Sequence, residues 1–153
     1  PMQLGSGSYA LKTSINYNQI NDDYSLGFLL AATSPLDTND RGYRHNMSID
    51  GLAWQDWTLS DHWTIKFSQH YVRRGSISGA DLSLNPTIVP TADANNFAFQ
   101  NLTLGLGIGY NLKIDNNEFL FQINYFKPVW QDLSGPQLQL DYHLGVTFEW
   151  MME

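Results

Sequence analysis

The chain has no cysteine and few charged residues, and both shortages narrow the classes of protein to which it can belong. With no Cys among 153 residues, disulfides, thiolate metal sites and cysteine nucleophiles are excluded. Charged residues make up 15% of the sequence, against roughly 25% in average soluble domains. The net charge of −7 argues against nucleic-acid binding, which normally needs a basic patch. We therefore expect no nucleic-acid partner, and the lack of cysteine is compatible with the cell envelope.

Long hydrophobic runs are also missing. The longest apolar run, Phe28–Ala32, has five residues, whereas a membrane helix needs about 18 or more. Together with a mean hydropathy of −0.31, this excludes insertion as a membrane helix. A transmembrane barrel remains compatible with both values, because its strands are half polar. No signal peptide is recognisable after Pro1, so we expect a processed chain or a fragment.

The segment Leu138–Trp150 alternates strictly between large apolar residues and polar or small ones. Its apolar members are Leu138, Leu140, Tyr142, Leu144, Val146, Phe148 and Trp150. Side chains of a strand point alternately to its two faces, so one face of this segment is apolar and the other polar. The segment also exceeds the roughly 9–11 residues with which a tilted strand crosses a bilayer. It predicts the closing strand of an outer-membrane β-barrel.

Six further segments repeat this period of two, and helical spacing fits none of them as well. The seven predicted strands are Ser8–Gln19, Asp23–Thr33, Tyr43–Trp57, Trp63–Val72, Asn101–Leu112, Glu118–Trp130 and Leu138–Trp150. A bulge is expected near Gly51, where the third strand loses its phase. The predicted fold class is all-β, an antiparallel up-and-down transmembrane β-barrel that forms one domain over residues 1–153.

The connections between these strands alternate in length. Short turns are predicted near Asn21–Asp22, Leu59–His62 and Ile114–Asn117, and longer loops near Ser34–Gly42, Arg73–Ala98 and Gln131–Gln137. Outer-membrane barrels have short periplasmic turns and long extracellular loops, and single-chain bacterial barrels normally have an even number of strands. Since seven is odd, we expect the chain to be the C-terminal part of a larger barrel whose N-terminal half is absent from this sequence.

Aromatic residues cluster at both ends of the predicted strands. Those at the short-turn ends are Tyr17, Tyr24, Trp57, Trp63, Tyr110, Phe119, Phe148 and Trp150, and those at the long-loop ends are Tyr9, Tyr43, Tyr71, Phe99 and Trp130. Two such girdles are typical of a barrel that spans a bilayer. Aromatics are also common in strands generally, but their clustering at both ends favours girdles.

Alternation by itself fits a soluble barrel such as a lipocalin as well as a membrane barrel. The polar face separates the two, because a soluble barrel exposes that face to water and usually carries Lys and Glu there. In the segment Asn101–Leu112 the polar face holds Asn, Thr and three Gly, and in Ser8–Gln19 it holds one charge, Lys12. This nearly uncharged face favours the membrane barrel.

Three segments carry a resemblance to a known family. They are Pro1–Tyr9, Asn85–Asp93 and Val129–Leu138. The chain resembles the C-terminal half of the outer-membrane proteins grouped as the putative MetA-pathway-of-phenol-degradation transporter family. The resemblance implies a Gram-negative outer-membrane barrel that passes small, aromatic or hydrophobic compounds. Members of that family typically end on an aromatic residue, whereas Trp150 is followed here by Met151, Met152 and Glu153.

Charged and titratable residues on the polar faces are the candidates for a lumen. The candidate lumen-lining residues are Lys12, Asp50, Lys66, His70, Asp141, His143 and Glu149. We expect Asp50 and Lys66 to pair diagonally across neighbouring strands. These charges either set the selectivity of a pore or fill the barrel with ion pairs. The histidines either titrate near neutral pH or, as we favour, form a structural hydrogen-bond network. No metal-ligand spacing is present, and we expect no cofactor.

The longest predicted loop, Arg73–Ala98, contains Pro86 and Pro90 and is therefore stiffened. Candidate mouth-loop residues are Arg73, Arg74, Asp81, Asn85, Asp93 and, in the next loop, Asp132. The long loop either folds into the mouth as a constriction or forms a cap with no ligand. Its mixed charges also leave a contact with a cation or with lipopolysaccharide open.

The function we expect is that of an outer-membrane channel or passive transporter for small solutes. Two alternatives remain, a structural or adhesion barrel and a hydrolase. Ser68 and His70 share the polar face of one strand, but no Gly-x-Ser-x-Gly elbow accompanies them, so we do not expect an enzyme. Expected partners are the lipid bilayer, lipopolysaccharide, a small-molecule solute and, through the C-terminal strand, the barrel-assembly machinery. The expected location is the outer membrane of a Gram-negative bacterium.

Overall fold

The structure, a computed structural model, describes residues 7–81 and 93–152. Within these ranges the chain forms nine β-strands and one turn of 3-10 helix, Ala94–Phe97. The strands are β1 Ala10–Ile20, β2 Tyr24–Pro35, β3 Tyr43–His45, β4 Ser48–Thr58, β5 Trp63–Arg74, β6 Ile77–Gly79, β7 Phe99–Ile114, β8 Asn117–Leu133 and β9 His143–Met152. None of the helical residues in this part of the chain forms a segment long and apolar enough to cross a membrane.

Seven of the strands form one antiparallel sheet in the order β1-β2-β4-β5-β7-β8-β9. The remaining two, β3 and β6, pair with each other in a small sheet between the long strands. Each long strand therefore pairs with the next long strand in the chain, which confirms the all-β, antiparallel, up-and-down arrangement. In the two described ranges β1 and β9 lie at the edges and do not pair with each other, so the sheet is open and no closed barrel is seen.

The register of the sheet brings the apolar side chains of neighbouring strands onto the same face. Tyr17 lies opposite Phe28, and in the middle of the sheet Ile65 lies opposite Ile108, which lies opposite Ile123. Since residues opposite each other point to the same face, the alternation of each strand adds up to one apolar and one polar face across the sheet. The apolar face is interrupted by polar side chains, among them Gln55, Gln69 and Lys127.

The prediction of one strand over Tyr43–Trp57 is wrong in one respect, because the segment breaks at residues 46 and 47 into β3, which pairs with β6, and β4, which belongs to the seven-stranded sheet. Asn46 fills this break, and its side-chain amide bonds the hydroxyls of Ser76 (3.2 Å) and Ser78 (2.8 Å) in and beside β6. The bulge expected near Gly51 is also wrong, since β4 keeps its register with both neighbours there. The shift in register lies between β7 and β8 instead, at Leu102 and Thr103.

The final strand begins at His143, not at Leu138 as the alternation predicted. Pairing between β8 and β9 ends at Phe126 and His143. Just beyond that pair, β8 contains Pro128, which has no N–H to donate to a ladder, and its register with β7 shifts at the same place. The predicted aromatic girdle at this end is also partly wrong. Phe99 lies on the polar face, and Tyr43 belongs to the small sheet.

Short turns lie at one end of the long strands and long connections at the other, as predicted. The turn between β7 and β8 is the tightest, with Asp115 at a φ of 54°, a left-handed conformation that Asp and Asn tolerate better than most residues. The long connections hold β3, β6 and the 3-10 turn. We call the end with the short turns the plain end and the end with the long connections the mouth end.

Very little of this sheet is buried. Ala31, at 6% exposure, and Pro128 are the only buried apolar side chains in the described ranges. The accessible surface is 10936 Å², whereas a compact monomer of 17.4 kDa exposes about 7900 Å². Large apolar side chains that would form the core of a soluble domain are left open on one face of the sheet.

Candidate functional site

Most of the predicted lumen-lining residues share the polar face of the sheet. Those that the register places there are Lys12, Asp50, Lys66, His70, His143 and Glu149. The exception is Asp141, which lies before β9 and outside any strand, so its predicted place on the last strand is wrong. Whether this face lines a lumen stays a prediction.

The expected pairing of Asp50 with Lys66 is wrong, because the register of β4 and β5 gives each a different partner. Lys66 lies directly opposite Asp56, and their charged atoms are 3.5 Å apart. Asp50 lies six positions before Asp56 along β4, about 20 Å away at the usual strand rise, and its Oδ1 is 3.1 Å from His70 Nε2. The polar face therefore carries the ion pair between Lys66 and Asp56 and, separately, the contact between Asp50 and His70. Asp56 lies an even number of positions after Asp50 and therefore points to the same face of the strand. The sequence could thus have indicated Asp56 as a second candidate partner for Lys66.

A further charged cluster that the sequence analysis missed lies at the plain end of the polar face. Lys113 Nζ is 3.6 Å from Glu118 Oε2, and the Asn111 side-chain amide donates to the other oxygen of Glu118. These residues flank the turn between β7 and β8 and are opposite or nearly opposite in register. The alternation of side chains in the two strands that flank Asp115 would have placed these three residues on the polar face, close to one another.

Glycines on the polar face lie beneath bulky side chains from neighbouring strands. The indole of Trp54 on β4 covers Gly27 on β2, and the ring of Phe126 on β8 covers Gly105 on β7. A Cβ at either glycine would clash with the ring above it. Close cover of strand glycines by aromatics compensates for the side chain that glycine lacks. The space above these glycines is therefore filled by side chains from neighbouring strands of the sheet.

The predicted mouth-loop residues divide among several elements. Arg73 and Arg74 are the last residues of β5, and Asp132 lies in β8, so placing these three in loops was wrong. The sheet is longer at the mouth end than the alternation indicated. The two arginines point to opposite faces, Arg73 to the apolar face with Gln100 opposite it, and Arg74 to the polar face with Phe99 opposite it.

The remaining loop residues have local structural roles. Asp81 accepts a hydrogen bond from Arg41 at 2.9 Å, and this contact raises the pKa of the Arg41 guanidinium above its usual value. Asp93 caps the 3-10 turn, where its carboxylate accepts from the backbone N–H of Asn95 at 2.9 Å. Asn85 lies outside the described residues.

A cavity of about 580 Å³ opens at the mouth end of the polar face. Its floor is made of polar-face residues at the strand ends, including Thr33, Ser48, Arg74 and Phe99. Its rim comes from β3, from the 3-10 turn and from the connection between β8 and β9. Its size lies within the usual range of small-molecule sites, about 300–1,000 Å³.

The walls of this mouth cavity are fixed by specific contacts. Gln137 Nε2 has three backbone carbonyl oxygens within hydrogen-bonding distance and shares its two N–H donors among them: those of Asn96 (2.9 Å), Ala98 (3.0 Å) and Ser134 (2.8 Å). The ring of Phe97 meets His45 edge to face, with centroids 6.5 Å apart. These contacts join three connections that are far apart in the sequence. Sequence reasoning missed the cavity because none of them has a periodic pattern.

The described residues contain only part of the serine–histidine arrangement that the hydrolase alternative requires. His70 contacts Asp50, but the described ranges contain no hydrogen bond between Ser68 and His70, and a Ser–His pair needs one of about 2.6–3.2 Å. In the same ranges there is no group of three or more His, Asp or Glu residues that could hold a metal ion.

Comparison of the chain with protein-family models, with curated proteins and with solved structures finds no match.

Proposed function

We propose that this sheet is part of the wall of an outer-membrane β-barrel that passes small solutes, with the apolar face toward lipid. The observation that carries the proposal is the exposed, predominantly apolar face that extends across all seven strands of the sheet. Ile15 on β1, Leu106 on β7 and Val146 on β9 are 65%, 59% and 74% exposed. Leaving one such side chain in water instead of an apolar phase costs about 1.5–3 kcal/mol. A bilayer would cover the whole face at once.

The aromatic residues at the plain end support the same orientation. Trp63 and Tyr110 lie opposite each other with ring centroids 4.7 Å apart, and Phe119 stacks on Trp150 at 6.2 Å. The indole N–H of Trp150 donates to Asn117 Oδ1 at 3.0 Å. Amphipathic rings of this kind favour the boundary between lipid and water. We assign this boundary to the periplasmic surface because the short turns lie beside it.

Closure of the barrel follows from the environment that we propose. In lipid, unpaired N–H and C=O groups along the edges β1 and β9 would each cost several kcal/mol, so only closed barrels are stable there. Further strands must therefore complete the sheet. The resemblance of Asn85–Asp93 and Val129–Leu138 to the phenol-degradation transporter family supports the same class of protein. On this proposal the polar face, with its ion pairs, lines the path of the solute.

The test is to express the full-length gene product in a Gram-negative host and separate its membranes. We expect the protein in the outer-membrane fraction, with a gel mobility that changes on boiling, and stepwise conductance in planar bilayers. Recovery as a soluble periplasmic monomer would contradict the proposal. Heat-modifiable folding without conductance would replace the channel with the structural or adhesion barrel.

A further inference from the structure

We propose that the mouth cavity binds a small organic carboxylate with an apolar body. This inference deepens the proposed function by naming a class of solute, and it rests on that function for its physiological role. Binding itself depends only on the cavity. It is therefore measurable on the folded protein whether or not the barrel conducts.

The charge of the cavity is opposite to that of the protein. Although the chain has a net charge of −7, the titratable side chains among the described lining residues are Arg74 and His45, with no Asp or Glu. A cavity whose one charged side chain among the described lining residues is the cation Arg74 favours an anion over a cation, although the protein as a whole is acidic.

Arg74 is available to such an anion. No carboxylate of the described residues lies within 4.0 Å of its guanidinium, which sits over the ring of Phe99 at 5.8 Å from the centroid. The nearby Asp132 points to the apolar face and borders a separate cavity that Arg73 and Arg74 also touch. Guanidinium recognises carboxylate through two parallel N–H donors and therefore favours this anion over a spherical one.

The apolar part of the ligand is indicated by the rings of the cavity. Phe97 and Phe99 both line it, and Pro35 and Pro136 add apolar surface. Aromatic walls with a few convergent polar groups are the usual composition of a small-molecule site. Because the cavity opens on the polar face of the sheet, a solute reaches it from the aqueous side and a lipid chain does not.

The first experiment uses the purified full-length protein in detergent micelles, with sodium benzoate as the probe and titration calorimetry as the readout. Benzamide, which has the same shape without the charge, and benzylammonium, which has the opposite charge, are the controls. We expect saturable binding of benzoate and at least roughly tenfold weaker binding of both controls, as the loss of a charge-assisted hydrogen bond predicts. Equal binding of benzoate and benzamide, or no saturable binding of benzoate, would overturn the inference without any substitution being made.

The second experiment compares two neighbouring arginines. Arg74→Gln removes the cation of the cavity, and Arg73→Gln removes a cation that is also exposed, from the other face of the same strand. We expect R74Q to weaken benzoate binding at least roughly tenfold and R73Q to leave it unchanged, with the boiling-dependent gel shift showing that both variants fold. An equal loss in both variants would show a general charge effect and refute the site. Conductance without benzoate binding would refute this inference alone, whereas benzoate binding without conductance would refute only the channel.

Discussion

The side-chain amide of Gln131 forms two hydrogen bonds with the backbone of Leu140. Its Nε2 donates to the carbonyl of Leu140 at 2.8 Å, and its Oε1 accepts from the N–H of Leu140 at 3.1 Å. An amide side chain thus supplies the donor and acceptor that a strand residue would otherwise supply. It holds the chain against β8 at the point where regular pairing with β9 is lost.

We therefore predict that Gln131→Ala frees the segment between Leu138 and Tyr142. Each lost hydrogen bond removes about 0.5–1.5 kcal/mol, so hydrogen exchange at the Leu140 amide should be faster by roughly tenfold or more. Amides of β9 after His143 should keep their protection. Gln139→Ala is the matched control, because Gln139 is exposed and takes part in no hydrogen bond of the described residues. Equal exchange at Leu140 in both variants would contradict the role of Gln131.

This contact also shows where reasoning from sequence ended. The alternation of Leu138–Trp150 predicted the two faces of the segment, and from His143 onward the register confirms them. It did not predict that the strand starts at His143, because that depends on Pro128 and on a side chain that replaces the backbone ladder. Period-two patterns report the direction of side chains and contain no information about which backbone groups are paired.

The same limit applies to the charged residues. Parity alone places Asp50, Asp56, Lys66 and His70 on one face, and the structure confirms this. Their partners depend on how β4 and β5 align, which is set by the four-residue turn Leu59–His62, and no pattern within either strand determines that. The mouth cavity was beyond prediction for a stronger reason, since its walls come from aperiodic connections.

The ion pair between Lys66 and Asp56 is predicted to be weak but specific. Both side chains are part-exposed, at 31% and 27%, and exposed pairs of this kind typically contribute about 0.2–1 kcal/mol. A double-mutant cycle of Lys66→Met and Asp56→Asn, followed by urea unfolding in micelles, should give a coupling energy in that range. The cycle of Lys66→Met with Asp50→Asn should give none. Coupling of Lys66 to Asp50 instead would show a different register of β4 and β5.

The packing of Trp54 over Gly27 predicts that a methyl group at this glycine is poorly tolerated. A Cβ at Gly27 would meet both the indole ring and, at 2.6 Å, the carbonyl oxygen of Tyr17 on the neighbouring strand. Overpacking of this type costs about 1–3 kcal/mol, so Gly27→Ala should lower the midpoint of the heat-induced gel shift. Gly51→Ala is the control, since the nearest atom to its Cβ would be 3.7 Å away. A midpoint as high for Gly27→Ala as for Gly51→Ala would exclude the close packing.

The orientation of the sheet in a bilayer predicts opposite outcomes for two adjacent residues of β8. Ile123, 52% exposed, lies on the apolar face between Ile108 and Val146, and Gln122 lies on the polar face. An arginine toward lipid near the middle of the bilayer costs about 2–4 kcal/mol, whereas one toward an aqueous lumen is tolerated. Ile123→Arg should therefore reduce the folded, heat-modifiable fraction in phospholipid vesicles, and Gln122→Arg should leave it near that of the unsubstituted protein. The reverse order would place the polar face toward lipid, and an equal effect of the two substitutions would argue that neither face contacts a bilayer.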